Sequence, residues 1–165
     1  MTLSAESLAM IDREITKYPA DQKQSAVMSA LRIAQQEKGW LSTETIQYVA
    51  DYLEMPRIAA YEVASFYNMY RMQPQGKHCL TVCTNLPCKL TWQNDVAAYL
   101  QQKLGIGFGE TTPDGKFTLL EGECMGTCGD APVLLVNNHR MCSFMTPEKV
   151  DQLLADLDRA ELDKP

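Results

Sequence analysis

This chain is short of most features that mark nucleic-acid, membrane or nucleotide chemistry. No apolar run approaches the roughly 20 residues that a bilayer-spanning helix needs. Nowhere do lysines and arginines cluster, and the formal net charge of the 165 residues is −6. Nucleic acid and direct insertion into an anionic membrane are therefore excluded as expectations. Residues 1–9 show neither a basic leader nor an apolar core, so no secretory signal is expected. The G-x-G-x-x-G and P-loop patterns are missing. Gly105–Gly109 reads G-I-G-F-G, but it follows a helical segment instead of opening one and reads as a turn. Only two histidines occur, both near strand ends. They are expected to be turn or surface residues, which disfavours histidine-ligated metal. A C-x-x-C dithiol is absent, and no acid/base constellation stands out.

What the chain does have is cysteine in a pattern. Two of its six cysteines, Cys79 and Cys142, fall in predicted strands and read as small buried hydrophobes. The other four form two short-spaced pairs, Cys83 and Cys88 in C-T-N-L-P-C and Cys124 and Cys128 in C-M-G-T-C. In a chain without an export signal, clustered thiols point to metal or redox work before disulfides. Structural zinc loops commonly leave two residues between cysteines, whereas four- and three-residue gaps recur where every ligand is a thiolate on an iron–sulfur centre. A binuclear iron–sulfur centre is the leading reading. A Cys₄ zinc staple on an interaction module is the rival from another class. Gly122, Gly126 and Gly129 surround the second pair, where positive φ or close backbone approach would be useful.

Hydrophobic residues make up 45% of the chain, enough for packed cores. The spacing predicts four helices in the first part. Ser4 caps a helix carrying Leu8, Ile11 and Ile15, which ends before Pro19. Asp21 with Gln24 resembles a capping box opening a second, with Val27, Ala30, Leu31 and Ala34 on one face and Gly39 as terminator. Ser42 or Thr43 starts a third through Ile46, Val49, Ala50 and Leu53. Pro56 seats a fourth from Arg57 to about Tyr67. Met69, Tyr70 and Met72 are read as core or interface filling.

The stretch from Gln73 to Gly76 breaks composition and period, so a boundary is placed there: residues 1–75 as a helical bundle and 76–165 as a second domain. Beyond it the pattern is mixed. Strands are expected at His78–Cys83, Phe117–Leu120, Val133–Val136 and Arg140–Phe144. Helices are expected at Trp92–Leu104 and after Thr146, with Pro147 at the first position and Val150, Leu153, Leu154 and Leu157 facing inward. Helices among few strands give an α+β fold, a small α/β layer behind the bundle. On this layout Cys88 lies in the loop after the first strand. Cys124 and Cys128 lie in the loop between the second and third strands, and both loops can emerge at one sheet edge.

The segment C-T-N-L-P-C together with E-G-E-C-M-G-T-C-G-D-A-P (Glu121–Pro132) resembles the thioredoxin-like [2Fe-2S] ferredoxin subunit of NADH:quinone oxidoreductase, respiratory complex I. Upstream, Ala64-Ser65-Phe66-Tyr67 is similar to the A-T-F-Y of that family's helical part. The likeness runs from about Ile15 to Leu157. It implies a thioredoxin-like ferredoxin domain and one [2Fe-2S] cluster at the positions of Cys83, Cys88, Cys124 and Cys128. It further implies a larger flavoprotein partner carrying FMN and the NADH site, with other peripheral-arm subunits beside it. The chain would then work as an oxidoreductase subunit at the cytoplasmic inner face of an energy-transducing membrane. Similar subunits in soluble NAD-reducing hydrogenases and NAD-dependent formate dehydrogenases are the alternative hosts.

Overall fold

A computed structural model of the chain describes residues 2–91 and 95–159. The chain divides into two compact units, Met1–Pro74 and Gln75–Pro165.

The first unit is helical. Helix α1 (Ala5–Ile15) is capped by Ser4, whose side chain accepts from the Ser7 N–H. Helix α2 (Val27–Lys38) stops at Gly39, whose left-handed φ of 81° is a conformation glycine adopts without Cβ strain. Ser42 caps α3 (Thr43–Tyr52), and Pro56 precedes α4 (Arg57–Phe66). The apolar stripes face one another: Ile11, Leu31, Ile46, Val49 and Leu53 are all fully buried. Each such side chain contributes roughly 1.5–3 kcal/mol of transfer free energy. Tyr70 joins this core, and its hydroxyl donates to the Met28 carbonyl at 2.8 Å.

One helix start differs from expectation. Residues Ala20–Ala26 form a 3-10 helix, and Gln22 leaves helical geometry (φ −117°, ψ 32°), so α2 begins at Val27 and not at Asp21. The cause is local. Asp21 accepts from the neighbouring Gln22 side chain at 3.3 Å, and Lys23 reaches across to Glu54 at 2.8 Å. The capping-box pattern is present, but the Asp21 carboxylate meets the Gln22 side chain instead of capping a helix.

The second unit is a four-stranded sheet with helices. Strands β1 (His78–Cys83), β2 (Phe117–Gly122), β3 (Leu134–Val136) and β4 (Arg140–Cys142) lie in the order β2-β1-β3-β4. The β1–β2 pair is parallel, with Cys83 opposite Gly122, and the other two pairs are antiparallel. Between β1 and β2 the chain makes a short helix α5 (Leu86–Leu90) and then α6 (Val96–Leu104), capped by Asp95. Of the helix expected from Trp92, residues 92–94 lie outside the described residues. Helix α7 (Pro147–Arg159) buries Val150, Leu153, Leu154 and Leu157. They meet Leu80, Val82, Leu100, Leu119 and Leu134 in one core. Asp151 of α7 accepts from the Tyr99 hydroxyl of α6 and pairs with Lys103 of the same helix, each at 2.9 Å.

Strand ends also shift. β2 runs two residues beyond Leu120, whereas β4 ends at Cys142, before the positive-φ residue Phe144 (52°). His78 is not a surface residue: it is 4% exposed within β1, its ring 5.7 Å from that of Phe117. His139 is exposed. Gly105–Gly109 is a turn closing α6, Gly105 being its left-handed cap.

Candidate metal centre

A parallel pair of neighbouring strands delivers its C-terminal ends to the same edge of a sheet, and here those ends carry the cysteines. Cys83 is the last residue of β1. Across from it is Gly122, two residues before Cys124. The parallel alignment continues one step past the strands, because the Thr84 N–H donates to the Gly122 carbonyl at 3.0 Å. Cys83 donates its own N–H to the Val133 carbonyl at 3.2 Å, which fixes the stretch after Cys128 on the opposite side.

Cys88 is not in an open loop. It sits in α5, capped by the Asn85 side chain accepting from the Leu86 N–H at 2.9 Å, with Pro87 in the first turn. This brings Cys88 back beside Cys83, and the two pack with Val133 under Met125 and Ala131. Cys128 opens a 3-10 turn, Cys128–Asp130, held by the Phe144 N–H donating to the Asp130 carbonyl at 2.8 Å. The Cys124 and Cys128 sulfurs are 3.6 Å apart. Two thiolates on one tetrahedral metal at about 2.3 Å stand about 3.8 Å apart, so this pair is already at ligand spacing.

Burial divides the quartet. Cys83 and Cys88 are buried, whereas Cys124 and Cys128 are exposed. Burial pushes the Cys88 thiol up first of all. The Val133 N–H works against that, and Cys83 and Cys128 add to it. The Cys128 thiol is raised chiefly by its contact with Cys124, then by burial, and further by the charges of Cys124 and Cys83. Each pair therefore feels the other, and four thiolates gathered here oppose one another until a cation joins them. Among the described residues, no three His, Cys, Asp or Glu side chains form a group that could hold a metal ion. The sulfurs form two pairs, an all-thiolate donor set that would suit an iron–sulfur group.

The glycines divide by role. Gly126, at φ +76°, turns its N–H to the Cys124 sulfur at 3.4 Å, a donor that would stabilise a ligating sulfur. Gly122 is needed for close approach: a Cβ there would lie 2.8 Å from Thr81 Cγ2 and 2.9 Å from Met125 Cε. Gly129 has open space and an ordinary φ. A cavity of about 270 Å³ lies against the buried pair, between Cys83, Cys88, Val96 and Pro132. Of the remaining cysteines, Cys142 packs with the main core of this unit, where burial raises its thiol. Cys79 is buried within β1. Sequence reasoning missed α5, whose local signal is Asn85 capping ahead of Leu86-Pro87, and it missed Met125 as a cover for the buried pair, which has no local signal.

The sheet, its flanking helices and the paired thiols define a small ferredoxin domain of the thioredoxin-like class. The chain belongs to the thioredoxin-like [2Fe-2S] ferredoxin family, whose family model matches residues 11–158. It is 42% identical over 153 residues to a subunit of NADH-quinone oxidoreductase from Rickettsia bellii, covering 92% of this chain and 91% of that protein. NADH-quinone oxidoreductase subunit 2 of Thermus thermophilus is 40% identical over 147 residues, covering 89% of this chain and 81% of that protein. A solved chain of an NAD+-reducing [NiFe]-hydrogenase shares the fold, with a TM-score of 0.66 at 18% identity. The match covers 78% of this chain and 22% of that one.

Proposed function

We propose that the chain is the [2Fe-2S] electron-transfer subunit of an NADH-quinone oxidoreductase, with Cys83, Cys88, Cys124 and Cys128 as the four ligands. One observation carries this reading: parallel pairing of β1 with β2 brings two cysteine pairs to one sheet edge, one of them at metal-ligand spacing. The relatives' names supply the host. When bound, the cluster supplies reversible one-electron transfer. The chain's own part is to hold four thiolates, to keep water from the Cys83–Cys88 side by packing Val133 and Met125 there, and to direct the Gly126 N–H at Cys124.

In this reading residues 76–165 form the ferredoxin domain and residues 1–75 the helical bundle. A larger partner subunit carries FMN and the NADH site and exchanges electrons with the cluster. The assembly stands at the inner face of an energy-transducing membrane. No helix among the described residues is long and apolar enough to cross that membrane, so attachment would come through partner subunits.

Metal analysis of anaerobically purified protein is the decisive test. Two irons and two acid-labile sulfides per chain are expected, with a paramagnetic signal after one-electron reduction. Stoichiometric zinc with no sulfide would replace this reading with the zinc-stapled module. Capture of partners by the tagged full chain identifies the host: a flavoprotein with quinone-reducing subunits is expected, whereas hydrogenase or formate dehydrogenase subunits would give the alternative host.

A further inference from the structure

A side-chain hydrogen bond ties the start of the first cysteine turn to the strand end that leads into the second. Thr84, immediately after Cys83, donates its hydroxyl to Glu121 Oε1 at 2.9 Å, and Glu121 stands three residues before Cys124. The same hydroxyl is 3.4 Å from the Gly122 carbonyl, and the Thr84 N–H donates to that carbonyl at 3.0 Å. The backbone bond extends the β1–β2 ladder beyond its last register pair and is available to any residue at this position except proline. The hydroxyl bond is specific to a threonine or serine. It has a second effect, because it holds a carboxylate at the ends of the two strands from which both cysteine turns depart.

We propose that Thr84 is a positioning residue for the metal centre. Through Glu121 it pins the start of the Cys83–Cys88 turn to the end of β2, from which the Cys124–Cys128 turn departs, and keeps a negative charge there. The inference rests on the reading above, that these cysteines hold a [2Fe-2S] cluster. Two consequences follow from the chemistry. A cluster bridging two turns is released when the turns part, so a bond between them slows its loss. Reduction adds negative charge to a site that already holds four thiolates, so a carboxylate fixed nearby disfavours the reduced state and lowers the potential. The expected scale for faster cluster loss is about two- to fivefold, the equivalent of one partly exposed hydrogen bond of roughly 0.5–1 kcal/mol.

The test uses the full chain loaded with iron and sulfide, as wild type, Thr84→Val, Thr84→Ser and Glu121→Gln. Two quantities are read: the rate at which a ferrous chelator bleaches the visible spectrum, and the midpoint potential from a redox titration followed by electron paramagnetic resonance. Thr84→Val is expected to lose cluster about two- to fivefold faster and to have a more positive potential. Thr84→Ser keeps the hydroxyl and should match wild type in both. Glu121→Gln keeps an acceptor without the charge and should move the potential the same way. The proposal is overturned if Thr84→Val matches wild type in both readouts, or if Thr84→Ser is as impaired as Thr84→Val. Should Thr84→Val fail to fold, Glu121→Gln decides, and an unchanged potential overturns the proposal. A wild-type chain that takes up no [2Fe-2S] cluster would instead remove the underlying reading, so the two failures are distinguishable.

Discussion

Replacing Gly122 with alanine should weaken the metal centre from outside the cysteine set. The glycine is the last residue of β2, opposite Cys83. A methyl group there would meet Thr81 Cγ2 at 2.8 Å, Met125 Cε at 2.9 Å and the Val82 carbonyl oxygen at 3.3 Å. These three neighbours yield unequally. The Met125 terminus is the free end of a flexible chain and moves aside at little cost. Thr81 is β-branched and stiff within β1, and the Val82 oxygen is backbone. Overpacking of this kind costs about 1–3 kcal/mol. With two unyielding neighbours of three, the upper half of that range applies, and about 2–4 °C of melting temperature is lost per kcal/mol in a chain of this size.

The functional effect should exceed the stability effect. Met125 is part of the packing over Cys83 and Cys88, so moving it admits water to the buried pair while the Cys124 turn is pushed away from β1. The assay is iron per chain after reconstitution, chelator-driven bleaching and thermal unfolding. Gly129→Ala serves as the control, since no atom lies within 4 Å of a Cβ there and its φ is ordinary. If Gly122→Ala loads, retains cluster and melts like Gly129→Ala, the close-approach argument is wrong.

Three further outcomes are expected. Cys83→Ser and Cys124→Ser should each abolish the wild-type visible spectrum, whereas Cys79→Ser and Cys142→Ser should keep it; a lost spectrum in Cys142→Ser would refute the ligand assignment. Glu37 is held down to about 2 by Lys38 first, then by Ser7 and Ser4, tying the start of α1 to the end of α2. A carboxyl depressed in the folded state stabilises it above the unfolded value near 4.5, and that contribution is lost as pH falls through about 2. With 22% of the side chain exposed, screening leaves about 1 kcal/mol. Urea unfolding should therefore show Glu37→Gln less stable at pH 7 and nearly equal to wild type at about pH 2; the same gap at both would refute it. Finally, stripping metal with a chelator should speed amide exchange in residues 84–91 and 123–130 and leave the centre of β1 protected, and uniform protection in both states would contradict the expected loosening.

The legible parts of this fold were those with local causes. Ser4, Ser42, Gly39, Gly105 and Pro147 mark helix ends because capping involves only near neighbours, and the α7 stripe is a matter of helical period. Asp21 misled because the same short polar side chain serves a turn as readily as a helix start, and only the positions of Gln22, Lys23 and Glu54 decide between them. His78 was misjudged because its burial depends on Phe117, a residue remote in the sequence that the sheet brings alongside. The cysteine pairs could be named from their spacing. The parallel register that sets Cys83 opposite Gly122, and the fold of α5 that returns Cys88 to it, arise from pairing and packing across the chain.

That register has a consequence for how the protein matures. Since one thiol pair comes before β2 in the chain and the other after it, an incomplete polypeptide would offer only half of the proposed donors. If these cysteines hold the proposed cluster, a complete donor set exists only after β2 has closed against β1. Acquisition of colour would then mark the end of folding, and chains truncated before Cys128 would stay pale however well their helices formed.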